Sequence, residues 1–440
     1  MRGPAPPPES AELVREILLK LPTRDVARCR CVCRLWRGVV AEPTFSSLHA
    51  DVAANNISVE SEPLLVTVTR VPGRPDEASF SIVSSSRPAP MPHRIAIPGG
   101  YSLSNVCSGL LCFAYDRTQA LAYICNRAGV PVFICNPVTG ETATVPTPVE
   151  WRVSKPRDAV YHHYALGFSP STKEHKLFRF SFTANSIYDT EIHQSVCTLG
   201  SGGWRRRSYI SQGHLMCTSP PVLVDGNLYL VTSGRIRLLG QHRNPDGMLV
   251  VDVATEVHRT CLLPVRADAY PQDMDPMVYT FEMSGRLCLA VNLYDPRCKL
   301  QFWVMSPPDQ WVEGDDSKLC WDLLYSSYIN DSYRDSYRFN TPTSAWFDDG
   351  TLCFTHRDFL FKHSTTGRSP EPSPDADCPQ CDQRLELPPK PSNCKWNIVG
   401  GYRSSLLSPL TLATPPWSWD GEEERKEFEH AMFLTLRRHQ

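Results

Sequence analysis

The sequence predicts an α+β chain whose two classes are segregated into separate domains: a short three-helix unit first, then an all-β, propeller-like repeat domain, then a short C-terminal helix. Three observations predict it. Apolar residues recur at helical steps between Ser10 and Ala50, the pattern changes to strict alternation beyond about residue 60, and a Gly-x-Leu element recurs along the β part.

Residues 1–9 carry prolines at positions 4, 6, 7 and 8 and are read as a proline-rich disordered tail. Residues 10–50 form the helical unit. Ser10 stands at the expected N-cap of a first helix, in which Leu13, Val14, Ile17, Leu18 and Leu21 share one face and Glu12, Arg15, Glu16 and Lys20 the other. Pro22 ends it. Thr23 is expected to cap a second helix reaching Cys29, and Cys31 to Val40 gives a third amphipathic stretch containing Val32, Cys33, Leu35, Trp36, Val39 and Val40. Forty residues bury too little surface to be stable alone, so the unit calls for a partner.

Residues 60–420 are read as the β body. Leu65, Thr67 and Thr69 alternate with Val66, Val68 and Arg70, and prolines and glycines punctuate the short runs that follow. Gly109-x-Leu111, Gly226-x-Leu228, Gly285-x-Leu287 and Gly350-x-Leu352 each read as a tight turn entering a strand buried on one face. A second element, an apolar strand closed by a turn with Thr three positions on, recurs at Asn136–Thr139, Ser169–Thr172, Asp252–Thr255 and His363–Thr366. Together they make a unit of about forty residues, the length of a four-stranded propeller blade. Five such units are expected at 107–146, 166–206, 224–264, 283–311 and 347–368, with residues 61–97 contributing another. Residues 364–393 are proline-rich and polar and are expected to be a mobile insertion; residues 421–438 are expected to form an amphipathic helix, acidic first and basic last.

The 45 basic and 47 acidic residues nearly cancel, which gives no overall field to attract nucleic acid or anionic lipid. No apolar run is long enough for a membrane span or a signal peptide, so a soluble, intracellular protein of cytoplasm or nucleus is expected. Seventeen cysteines, many inside apolar strand-like runs, suit a reducing compartment and no disulfide framework.

The helical residues carry a family resemblance. Glu12 to Pro22, then Arg30-Cys-Val-Cys-Arg-Leu-Trp36, then Glu42-Pro-Thr-Phe45, resembles the F-box motif of plants, spacing included. The family usually opens with Leu-Pro, where this chain has Glu9 and Ser10. In the body, Ile134 to Glu141, Leu166 to Thr172 with Lys176, and Leu199 to Arg205 resemble the kelch-like F-box-associated domain, and Tyr402 to Ser408 resembles its closing strand. The resemblance implies that Leu13, Ile17, Leu18, Leu21, Pro22, Val32, Cys33 and Trp36 make or support a Skp-type adaptor interface. Through the adaptor it implies a cullin, with the β domain delivering a client protein for ubiquitination.

No Gly-x-Ser-x-Gly, Walker or His-Glu-x-x-His motif appears, so neither catalytic residues nor a cofactor are expected. Cys378-Pro-Gln-Cys381 with Cys394 is a weak zinc candidate that lacks a fourth ligand at ribbon spacing. Gly200 to Gly203 is read as a hairpin tip, and His162-His163 as structural or solvated. The alternatives to a ligase receptor are an F-box protein acting as a ligase-independent scaffold and, more remotely, a propeller enzyme or carbohydrate-binding protein.

Overall fold

The computed structural model describes residues 8–413, leaving aside 56–61, 73, 84–87, 116–129, 148–159, 184–189, 201–202, 212–213, 216–219, 234–244, 266–277, 284, 296, 307–320, 329–344, 349–350, 357–358, 365–382 and 387–393. Four helices open it where three were expected: α1 (Pro8–Leu19), α2 (Thr23–Cys29), α3 (Arg34–Ala41) and α4 (Pro43–Asn55). Helix α1 starts ahead of Ser10, taking Pro8 and Glu9 out of the expected tail; proline suits a first turn, where its missing N–H has no partner to lose. Pro22 breaks the chain as expected. It precedes α2 in an extended conformation, and no side chain caps that helix. The Thr23 hydroxyl, expected to cap, instead donates to the Ser404 carbonyl at 3.2 Å. Cys31 and Val32 are turned by amide bonds to the Arg28 and Cys29 carbonyls, and Cys33 is extended, so α3 starts only at Arg34.

Among the described residues the strands form six antiparallel sheets, arranged as blades. Blade 1 joins β1 (Glu62–Thr69), β2 (Asp76–Val83) and β3 (Pro88–Ile97) to the last strand, β25 (Cys394–Tyr402), which closes the ring. Blade 2 is β4 (Tyr101–Cys107), β5 (Leu110–Tyr115), β6 (Val132–Cys135) and β7 (Thr142–Val145). Blade 3 is β8 (Val160–Ser169), β9 (Glu174–Thr183), β10 (Thr190–Thr198) and β11 (Trp204–Ser211). In blade 4 the innermost strand comes in two pieces, β12 (His214–Leu215) and β13 (Val222–Val224), both paired with β14 (Asn227–Ser233); β15 (Pro245–Asp252) and β16 (His258–Leu262) follow. Blade 5 is β17 (Val278–Met283), β18 (Arg286–Asp295), β19 (Arg297–Met305) and β20 (Trp321–Tyr328). Blade 6 is β21 (Ala345–Asp348), β22 (Thr351–His356), β23 (Phe359–Ser364) and β24 (Gln383–Glu386).

The Gly-x-Leu strands are the second strands of blades 2, 4, 5 and 6, and Leu111, Leu228, Leu287 and Leu352 are all fully buried. Cys107 pairs with Leu110 and Val224 with Asn227, so Ser108-Gly109 and Asp225-Gly226 are two-residue turns. Both residues of each have positive φ, the conformation whose twist matches a hairpin. Blades 2 to 6 each begin with the inner strand before that turn, one strand ahead of where the forty-residue unit starts, whereas blade 1 takes its inner strand, β25, from the end of the chain. Blade 3 also departs from it: the Ser169 turn joins β8 to β9, whereas the Asn136 and Asp252 turns join third to fourth strands. The same side-chain-closed turn serves either hairpin.

Part of the expected insertion is ordered, since Gln383–Glu386 pairs with β23 as the outer strand of blade 6. An outer strand is paired on one side only and tolerates the polar sequence that suggested a loop. The rest of 365–393 lies outside the described residues. Past β25 the chain runs through 403–408 to a short helix, α5 (Pro409–Ala413), while the helix expected at 421–438 falls outside the description. No helix among the described residues is long and apolar enough to cross a membrane.

The helical unit does not stand apart from the body, as its sequence suggests. Val14, Leu18, Val26, Val39, Val40 and Phe45 belong to one continuous apolar cluster with Leu64, Val66, Phe80 and Tyr402 of blade 1. The Arg24 guanidinium also meets the Glu62 carboxylate at 2.6 Å, linking α2 to β1. A unit too small to bury its own face has buried part of it on its neighbour.

Candidate functional site

The four-residue repeat of α1 sorts its leucines. Val14 and Leu18 face inward, with Leu18 fully buried, while Leu13 and Ile17 lie one above the other on the outer face, 60% and 43% exposed. Val32, at 63%, and Cys33 are exposed in the link between α2 and α3, and Pro22 is exposed in the break before α2. Leu21 and Trp36 are partly buried against the shared cluster. Of the eight residues singled out in the sequence, then, Leu13, Ile17, Val32, Cys33 and Pro22 are exposed, Leu21 and Trp36 are partly buried, and Leu18 is core. Leu48 and Val52 of α4 are also exposed and apolar; their four-residue spacing is the signal that sequence reasoning passed over.

Polar contacts hold this face in shape. Arg15 pairs with Glu42, tying α1 to the junction of α3 and α4. Buried His49 donates through Nε2 to the Leu21 carbonyl at 3.0 Å, and burial lowers its pKa, favouring the neutral ring that this bond uses.

Behind the helices, the inner strands of the propeller surround a cavity of about 1450 Å³. Ser46 and His49 of α4 line one end, and Tyr164, Tyr279 and Glu282 stand on its walls. Glu282 lies against the closing strand: a Cβ on Gly401 would come within 1.1 Å of its Oε2, and Gly401 has a φ of +71°. Burial raises the Glu282 pKa, against the pull of the Gly285 N–H, which donates to Oε1 at 2.6 Å, and of Arg403. His162 and Ser181 are cross-strand partners in blade 3, with Nδ1 2.8 Å from Oγ, and burial beside His162 lowers His163 to about 4.

Of the zinc candidates, Cys394 sits buried in β25 with its Sγ 3.7 Å from the Thr69 hydroxyl; Cys378 and Cys381 are outside the described residues. Among the described residues no three His, Cys, Asp or Glu side chains are grouped to hold a metal. Residues 201–202, in the segment read as a hairpin tip, lie outside the described residues; on either side of it Cys197 of β10 pairs with Trp204 of β11.

Comparison with known proteins places both parts. Residues 10–47 match the F-box domain and residues 64–315 match the F-box associated beta propeller domain. In Arabidopsis thaliana, F-box protein DOR is 26% identical over 209 residues, covering 45% of this chain and 49% of that protein. F-box/LRR-repeat protein At2g43260, from the same plant, is 22% identical over 93% of this chain and 90% of its own length. The chain thus spans about half of the first relative and most of the second. Likeness to solved structures is faint: a prolyl endopeptidase matches at 10% identity and a TM-score of 0.34, covering 81% of this chain and 44% of that one.

Proposed function

This chain belongs to the F-box-associated β-propeller family and carries an F-box ahead of its propeller; from that premise we propose that it is the substrate-recognition subunit of an SCF-type cullin-RING ubiquitin ligase. The F-box binds a Skp-type adaptor and through it the cullin, the propeller binds a client protein, and other subunits carry out ubiquitin transfer. The protein itself is a non-enzymatic receptor, and its Gly-x-Leu blades are read as kelch-like.

The observation that carries this reading is the outward apolar set Leu13, Ile17 and Val32 on a helical unit whose inner positions, Leu18, Val26 and Phe45, are already filled. Three large apolar side chains left in water beside a completed core are what a partner surface requires. Pro22 and Cys33 are exposed as well, and Leu21 and Trp36 are partly buried against the shared cluster.

The topology also favours one client face. The tight turn at Gly109 abuts the Arg403 carbonyl and the Ser405 side chain, below the helices. Second strands β5, β9, β14 and β18 run away from that side and end at Tyr115, Thr183, Ser233 and Asp295. A client docked on their far ends stays clear of the adaptor.

The test is a pull-down of the full chain with a Skp-type adaptor. Leu13→Asp with Ile17→Asp should abolish adaptor binding while leaving client binding intact. Undiminished adaptor binding by this variant would overturn the interface. The departure from the usual opening, Glu9 and Ser10 within the first turn of α1, favours a second reading as a ligase-independent scaffold. A wild-type chain that binds no Skp-type adaptor would select it.

A further inference from the structure

The segment Arg403-Ser-Ser-Leu-Leu407, just past the closing strand, lies between the F-box and the propeller, and its successive carbonyls are claimed alternately by the two. The Ser404 carbonyl accepts from Thr23 of α2 at 3.2 Å, and the Leu406 carbonyl from Ser46 of α4 at 3.4 Å. Between and after them, the Ser405 and Leu407 carbonyls accept from a single group, the Nδ2 of Asn136 in blade 2, at 3.0 and 2.8 Å. In an extended chain neighbouring carbonyls point to opposite sides, so four in a row offer two to each neighbour.

We infer that residues 403–407 are a tie rod that fixes the F-box to the propeller in one orientation, and that Asn136 is the residue that positions it. Asn136 is fully buried. Its Oδ1 is committed to its own turn, accepting from the Val138 amide at 2.8 Å, which orients the amide group and aims Nδ2 at the rod. The rod has no slack on the propeller side: Gly109 passes so close that a Cβ there would lie 2.6 Å from the Arg403 carbonyl oxygen, and the Tyr402 hydroxyl reaches the Gly109 carbonyl at 3.5 Å. A slip by one residue would turn every carbonyl toward the wrong partner and leave the buried Asn136 amide unsatisfied, which a buried polar group does not tolerate cheaply. The register is therefore unique, and with it the position of Thr23 and Ser46. Two sequence elements far apart, Asn136-Pro-Val-Thr139 and Ser404 to Leu407, thus gain one role: setting the F-box against the client-binding domain.

Asn136→Asp separates this role from the turn. The aspartate keeps an oxygen for the Val138 amide and replaces the donor with a carboxylate oxygen facing two carbonyls. Thr23→Val with Ser46→Ala cuts the rod from the other side without touching the propeller. Nitroxide amino acids at exposed Glu16 on α1 and Thr260 on β16 report the F-box-to-propeller distance by double electron–electron resonance in the full chain. Wild type should give one narrow distance peak; each variant should broaden it while the thermal transition of the propeller stays in place. Peaks as narrow as wild type in both variants, or a wild type already broad, would overturn the proposal. If Asn136→Asp loses the propeller transition, the Thr23/Ser46 variant decides alone, and a narrow peak there overturns it.

Discussion

Lys176 and Glu256, eighty residues apart, form an ion pair sealed between blades 3 and 4, with Nζ 3.0 Å from Oε1 and side chains only 5% and 6% exposed. Lys176 also donates to the Ala254 carbonyl at 2.9 Å, Gln194 donates to the Glu256 carbonyl, and Arg205 reaches the same carboxylate from the rim. Three stretches noticed separately in the sequence, around Lys176, Arg205 and the Asp252 turn, therefore converge on one inter-blade contact.

Removing one partner of such a pair strands a buried charge, at a typical cost of about 3–5 kcal/mol. Glu256→Ala should lower the unfolding free energy, read from denaturant melts, by that order. Arg205→Ala, whose side chain is half exposed, should cost under about 1 kcal/mol. Equal losses in the two variants would show that the pair is not the inter-blade fastener.

Leu18 and Leu13 are five residues apart on α1 and should behave oppositely. Leu18→Ala opens a cavity in the cluster shared with blade 1 and should cost about 2–5 kcal/mol, lowering the propeller's own transition with it. Leu13→Ala should leave stability within about 0.5 kcal/mol and weaken only adaptor binding. Calorimetry of the two variants beside an adaptor titration separates them; a stable Leu18→Ala would mean that the helices do not share the propeller core.

Acid should destabilise the protein well before its carboxylates protonate. Burial holds His163 and His175 at about 4, against 6.5 when unfolded. Between those values the unfolded chain takes up protons that the folded chain refuses, so stability falls as pH drops from about 6.5 toward 4 and this loss ends below 4. Each histidine contributes a slope of up to about 1.4 kcal/mol per pH unit. The raised carboxyl of Glu282 acts the other way, but one such group does not offset two histidines. Urea melts at pH 7 and pH 5 should show the loss, and His163→Gln with His175→Gln should flatten it.

Much of this protein was determined by its sequence alone. Local chemistry sufficed for the break at Pro22, the paired turns at Ser108-Gly109 and Asp225-Gly226, the burial of the leucines after them and the side-chain-closed turns at Asn136 and Asp252, because each depends on residues within a few positions. The F-box resemblance named the right forty residues, yet it could not separate Leu13 from Leu18, since both are apolar positions on one helix and only the packing of α3, α4 and blade 1 assigns a side to each. Long-range matters were decided by the tertiary structure: the strand that closes blade 1, the pairing of Lys176 with Glu256, the outer strand at Gln383–Glu386, and the use of Thr23 and Asn136 on opposite sides of residues 404–407. In each of these the partner lies tens to hundreds of residues away, and no periodicity in a single chain encodes a contact at that separation.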